Sequence, residues 1–211
     1  MKASEWYHVL FAVILFTIVF GFEAIINNDW FILSKTFFFA VLILITIVLV
    51  RKYFAYQLDS GVEHKLWKMQ RFGFMVNRKL KSEAPVGILL PLFLSVFSLG
   101  LIKFCSFLTY ETHTLKTRAA KRFGFYAFSE MTEWHNGVIG ATGIITALLL
   151  SIIGYIADPS FIMLKMSVYY AFVNMFPISN LDGTQILFGS RVLYFTLMTI
   201  TLIFTAYAFI A

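Results

Sequence analysis

The sequence predicts an all-α polytopic membrane protein, with about five to six transmembrane or re-entrant helices and a small membrane-associated β-hairpin. Three observations predict it. Of 211 residues, 60% are hydrophobic and 13% are charged, about half the charge of a soluble domain. The apolar residues collect into runs near the 20 residues that a bilayer span requires. The cations collect between those runs, as the positive-inside rule expects.

The first run, 6–26, begins at Trp6 and ends beyond Glu23. It is too long for a signal-peptide core and lacks a small-residue cleavage site, so it reads as a retained span. Asn27, Asn28 and Asp29 form a turn, and Trp30 suits the membrane interface. The second run, 31–50, stops at Arg51-Lys52. Residues 51–85 then carry eight cations against three acids, which reads as a cytoplasmic segment.

The third run, 86–102, contains Pro91 and Gly100 and is short for a span. Five further cations follow within 103–135. A full span would put the two basic stretches on opposite sides, whereas a re-entrant segment keeps both in the cytoplasm, and the charge pattern favours re-entrance. Lys103–Thr114 and Arg122–Phe128 are rich in Phe, Tyr and Thr and read as extended, giving a membrane-edge hairpin over 103–128.

Ser129 reads as a helix cap, with Glu130 and Glu133 in the first turn and Trp134 at the interface. The fourth run, 137–157, is rich in small residues. Gly137, Gly140 and Gly143 suit close helix packing. Asp158-Pro159 marks a turn. A fifth run, 161–176, leads to Pro177, and a sixth covers 186–211. The whole chain, 1–211, reads as a single membrane domain with both basic stretches and the N-terminus inside and the C-terminus outside.

Several function classes fall away. The net charge of +6 follows membrane topology, and no nucleic-acid motif accompanies it, so nucleic acid is not expected as a partner. The lone Cys105 cannot form an intrachain disulfide or a thiolate metal site. Ser95 and Ser98 lack a nucleophile elbow and a placed histidine. Glu130, Glu133 and His135 have spacings that do not share a helix face. Glu5 and His8 are a lone pair at a helix start, and Glu63-His64 reads as solvated. Few intramembrane charges and no inverted repeat argue against a transporter.

Residues 174–183 carry the most information. Asn174, Pro177, Asn180, Leu181, Asp182 and Gly183 form a polar, helix-breaking stretch between apolar runs. Ionisable groups at membrane depth are costly and usually functional or paired, and broken backbone there must be buried in protein or face water. The stretch predicts a polar pocket that contains Asp182.

This stretch resembles the second motif of the site-2 protease family of intramembrane zinc metalloproteases (peptidase M50), Asn-x-x-Pro-x-x-x-Leu-Asp-Gly. Asn174, Pro177, Leu181, Asp182 and Gly183 match it position by position. The resemblance implies a site-2-protease-like core, a third zinc ligand at Asp182, and a peptide-binding groove in which Asn174 helps to position substrate. The glycine-rich run from Asn136 resembles a degenerate form of the family's Gly-Pro-x-x-Asn helix.

The family's other motif, His-Glu-x-x-His, is absent. The four histidines are His8, His64, His113 and His135, and no two stand four apart. By position the motif belongs near Ile47–Arg51, which supplies no metal ligand. Catalytic zinc needs three protein ligands, and without a metal, water keeps its high pKa. No catalytic residue, metal site or cofactor is therefore expected, and Asp182 is the only retained candidate ligand.

The expected function is that of a pseudoprotease, a multi-pass cell-membrane protein that binds a transmembrane segment or partner subunit. Two alternatives stand beside it. One is a divergent, active intramembrane zinc metalloprotease with another ligand set, and the other an accessory structural subunit of a larger membrane complex.

Overall fold

The structure is a computed structural model that describes residues 3–71, 79–115 and 131–210. The chain is mostly helical. Its elements are α1 (Ala3–Phe20), α2 (Phe22–Ile26), α3 (Trp30–Gln57), β1 (Ser60–Leu66), β2 (Met69–Arg71), β3 (Lys79–Ala84), α4 (Val86–Phe97), β4 (Leu108–Thr114), α5 (Glu133–Ala157), α6 (Ile162–Asn174), α7 (Asp182–Gly189) and α8 (Arg191–Ile210).

Among the described residues three helices, α3, α5 and α8, are long and apolar enough to cross a membrane. The other apolar runs are divided differently from the sequence reading. The run 6–26 bends at Gly21, where an added Cβ would stand 2.7 Å from the Thr17 carbonyl oxygen and 2.6 Å from Leu33 Cδ1. The run 186–211 breaks at Ser190, whose extended backbone (φ −161°) separates α7 from α8. The fifth run forms a helix of 13 residues, and the third a helix of 12. At 1.5 Å per residue these rise only about 20 and 18 Å against a core of about 30 Å.

Helix α3 runs past Arg51-Lys52 to Gln57. These two cations were expected to open a cytoplasmic basic segment, 51–85. Instead Arg51 is wholly buried, and Lys52 Nζ bonds Glu5 Oε2 at 2.5 Å. Arg51 ends inside the bundle and Lys52 half-buried at its edge, and a carboxylate from another helix meets each of them.

Of the expected hairpin over 103–128, strand β4 is present, and it pairs antiparallel with β1, with Ser60 opposite Thr114 and Leu66 opposite Leu108. Residues 122–128, the other expected arm, lie outside the described residues. So do Ser129 and Glu130; the helix cap observed is Thr132, whose side chain accepts from the His135 amide. A second small sheet pairs β2 with β3.

The β1–β4 pairing fixes the path of the segment between them. Trp67 N–H donates to the Phe107 carbonyl at 2.9 Å, and Gly87 N–H donates to the Trp67 carbonyl at 2.9 Å. Helix α4 therefore leaves from the point to which the chain later returns. It ends where Leu99 (φ 53°) and Gly100 (φ 86°) turn the chain, with Gly100 packed on Phe22. The return segment, 103–107, is non-helical, and Cys105, Ser106 and Phe107 are fully buried. Non-helical backbone of this kind is tolerated among apolar helices when protein covers it and supplies its hydrogen bonds.

The core forms where α1, α3, α5 and α6 converge on this segment. Phe16 packs against Phe107 and Tyr170, at ring-centroid distances of 5.5 and 6.2 Å, among Ile43, Ile47, Ile144 and Met166. At one end of the bundle Asp158 starts α6. Its Oδ2 accepts from the Ile162 and Met163 amides at 2.9 and 3.2 Å, and its Oδ1 accepts from Lys35 Nζ at 2.6 Å. Burial alone raises the pKa of this carboxyl, but these bonds outweigh it and hold the group at about 2.

Candidate functional site

Asp182 opens α7 at the opposite end of the bundle and is wholly buried. The residue that meets it is Arg51, whose Nη2 donates to Asp182 Oδ2. Both side chains are 0–1% exposed, so neither charge is screened by water. The ring of Tyr110 lies 4.9 Å from the guanidinium carbon, on the cation–π side. Tyr170, also buried, borders the pair.

Glycine makes room for this arrangement. A Cβ on Gly143 would overlap the Arg51 guanidinium, and one on Gly140 would stand 2.6 Å from the Tyr110 hydroxyl oxygen. Gly137 packs on α7, where its Cβ would meet Gly189 Cα at 3.0 Å. The three glycines thus lie along one contact, that of α5 with α7 and with the arginine beneath it. Gly183 is as tight, and there the Cβ would overlap the backbone of Met175. Backbone yields less than a side chain. Gly183→Ala is therefore expected to lower the melting temperature in detergent more than Gly143→Ala, and the reverse order would contradict this packing.

The remaining residues of the 174–183 stretch separate into two groups. Asn174, Leu181 and Asp182 are buried, whereas Pro177 and Asn180 are exposed on the turn. Asn174 does not bond backbone around Pro177. Its Nδ2 donates to the Tyr170 and Cys105 carbonyls at 2.9 and 3.3 Å, and its Oδ1 accepts from Ser106 Oγ at 3.1 Å. It thereby supplies hydrogen bonds to the buried non-helical return segment.

Beside the Arg51–Asp182 pair lies a cavity of about 590 Å³, lined by β4, α7 and the start of α5, including Thr109, Thr112, Asn136, Asn180, Thr184 and Gln185. One edge of β4 pairs with β1; among the described residues no strand covers the other. On that side Gln185 Nε2 reaches the Tyr110 carbonyl at 3.4 Å, and Asn136 Oδ1 accepts from Thr112 Oγ1 at 2.5 Å.

A second polar cluster adjoins the first through Lys52. Glu5 Oε1 accepts from the His64 amide and meets His64 Nδ1, both at 3.1 Å. His64 is 1% exposed, contrary to the solvated reading. Burial pushes its pKa down to about 4; the Arg51 and Lys52 cations add to this, against the opposing pull of Glu5. The unfolded chain binds this proton near pH 6.5 and the folded chain only near 4. Stability is therefore full above pH 6.5 and falls as pH drops towards 4, by roughly 2–3 kcal/mol. His64→Gln is expected to flatten the melting-temperature profile between pH 7 and 4.5; an unchanged slope would place the transition elsewhere.

The donors present do not fit a zinc ion. Asp182 is one carboxylate, a fixed guanidinium stands against it, and no imidazole pair shares a helix face. Among the described residues no group of three His, Cys, Asp or Glu side chains converges. His135 meets the Thr132 hydroxyl, and Glu130 lies outside the described residues. No family model, curated protein or solved structure matches this chain.

Sequence reasoning missed Arg51, Tyr110, Gln185 and the Asn174–Ser106 contact. For Arg51 a signal was present: a buried aspartate calls for a cation, and Arg51 lies where the resemblance places the ligand helix.

Proposed function

We propose that this chain is a catalytically inactive relative of the site-2 proteases, a multi-pass protein of the cell membrane that holds a segment of a membrane-protein partner. The observation that carries the reading is the Arg51 guanidinium against Asp182. In the family's scheme this carboxylate serves a metal, whereas here it is neutralised by a side chain. A divalent cation beside that guanidinium would meet a fixed like charge in a water-poor site.

The open groove supports the binding half of the proposal. Among the described residues no strand covers the second edge of β4, and such an edge offers backbone groups to an extended chain while flanking side-chain pockets select it. The polar rim of Thr112, Asn136 and Asn180 suits a juxtamembrane segment emerging from the bilayer. In the proposed topology α3, α5 and α8 span, α4 and residues 98–107 re-enter, and both β1 and β4 lie on the cytoplasmic side. The return of the chain from Trp67 to Phe107 supports that placement, because it brings β1 and β4 to one end of the bundle.

Two measurements test the proposal. Elemental analysis of purified protein is expected to find no stoichiometric zinc. A photo-crosslinker in place of Asn180 is expected to capture a defined membrane-protein partner in native membranes, and one at the exposed Ile203 of α8 is expected not to. Bound zinc that depends on Asp182 would overturn the inactive reading. Equal capture at both positions would remove the groove.

A further inference from the structure

A second cavity, of about 190 Å³, lies at the other end of the bundle, where α2, the start of α3 and α6 meet the turn after α4. By liquid volume it has room for about six waters. Four charged side chains line it, namely Glu23, Asp29, Lys103 and Lys165, together with Asn27 and Thr36.

Two of these charges meet: Lys103 Nζ forms an ion pair with Glu23 Oε1 at 3.6 Å and stands 5.3 Å from the Phe20 ring centroid. Lys165 and Asp29 form no ion pair among the described residues. Asp29 sits at the N-terminus of α3 without capping it through its side chain. The half-buried Lys165 and the exposed Asp29 thus border the same small cavity without forming an ion pair among the described residues. Thr36 is already satisfied by the Ile32 carbonyl at 2.8 Å.

The position adds a further constraint. The cavity opens where apolar helices end, close to the exposed Trp30, which suits the membrane interface. A ligand that spans separated positive and negative side chains carries both charges itself. At that depth the group that does so is a zwitterionic lipid headgroup. A primary ammonium donates hydrogen bonds to carboxylates, which a quaternary ammonium cannot do. Quaternary ammonium instead calls for an aromatic cage, and the nearby Phe20 ring already faces Lys103.

We infer that this cavity binds the headgroup of phosphatidylethanolamine, its phosphate against Lys165 and Lys103 and its ammonium against Asp29 and Glu23. The inference rests on the membrane placement proposed above but not on the pseudoprotease reading.

The test is lipid retention by native mass spectrometry. Delipidated protein in mild detergent is offered equal amounts of dioleoyl phosphatidylethanolamine, phosphatidylcholine and phosphatidylglycerol. The ethanolamine lipid is expected to be retained about tenfold over the other two, a difference of about 1.4 kcal/mol. Lys165→Gln and Asp29→Asn are each expected to abolish the preference, and Lys165→Arg to keep it. Water-soluble glycerophosphoethanolamine is expected not to displace the lipid; displacement would assign the cavity to a free headgroup. Equal retention of all three lipids by the unmodified protein overturns the inference even if a variant fails to fold, as does a preference that survives in folded Lys165→Gln. Crosslinking at Asn180 is expected to be unchanged in Lys165→Gln, so failure here is separable from failure of the groove.

Discussion

Stoichiometric zinc binding is the expected result of the triple substitution Ile47→His, Val48→Glu, Arg51→His. It writes His-Glu-x-x-His onto α3, with the two imidazoles four residues apart on one helix face and the glutamate beside them. Ile47 and Arg51 are both buried, and Arg51 already touches Asp182. The new histidine at 51 therefore lies near the carboxylate, and Gly143 leaves room beside it. Two imidazoles and Asp182 would complete the three protein ligands of a catalytic zinc site. The unmodified chain is expected to bind none, and adding Asp182→Asn to the triple variant is expected to abolish binding. Elemental analysis and a cobalt-substituted absorption spectrum would read this. A folded triple variant that binds no metal would sink both the placement of the missing motif on α3 and the proposed kinship.

The second large effect concerns the pair itself. Arg51→Met leaves the Asp182 carboxylate buried without its partner, and breaking a buried pair costs roughly 3–5 kcal/mol. A fall of that size is a large part of a membrane domain's margin, and the variant is expected to melt well below the unmodified protein or to bind a cation from solution. The double substitution Arg51→Met, Asp182→Leu removes both charges and is expected to recover to within about 1 kcal/mol, since well-packed apolar replacements of buried pairs are often neutral. Thermal melts in mild detergent would measure the cycle. Additive losses in the double variant would mean that the two side chains do not depend on each other.

That cycle also separates two roles for the arginine. If it acts only as a structural counter-ion, the apolar double variant keeps its crosslink at Asn180. If the pair also shapes the groove through Tyr110, capture falls while stability returns. The Tyr110 hydroxyl donates to the Asn136 carbonyl at 2.7 Å, so a ring freed from the guanidinium would disturb the groove wall directly.

Much of the architecture could be read from local chemistry. The apolar runs located most helices because the bilayer-length pattern is local. Asp182 stood out because an ionisable group within apolar sequence demands a partner, and Gly137, Gly140 and Gly143 because small residues on a helix face invite close approach. Other features could not be read this way. Strand β4 was recognisable as a strand, but its pairing with β1 was not, because the partners lie between 42 (Leu66 and Leu108) and 54 (Ser60 and Thr114) residues apart in sequence. The run 86–102 did not show where its helix would end, because that depends on a left-handed turn at Leu99-Gly100 packed on α2.

The sequence by itself determined that the chain is apolar in long segments, that it carries a buried-type aspartate in a helix-breaking stretch, and that it lacks the histidines a metal would need there. Only the tertiary structure decided which cation answers that aspartate. Arg51-Lys52 at the end of an apolar run has the same local sequence whether water or protein surrounds it. Which of these holds depends on α5, α7 and β4 closing over that end of α3, and on the absence of a Cβ at position 143. Burial is a property of what packs on a residue, and that is settled by parts of the chain far from it in sequence.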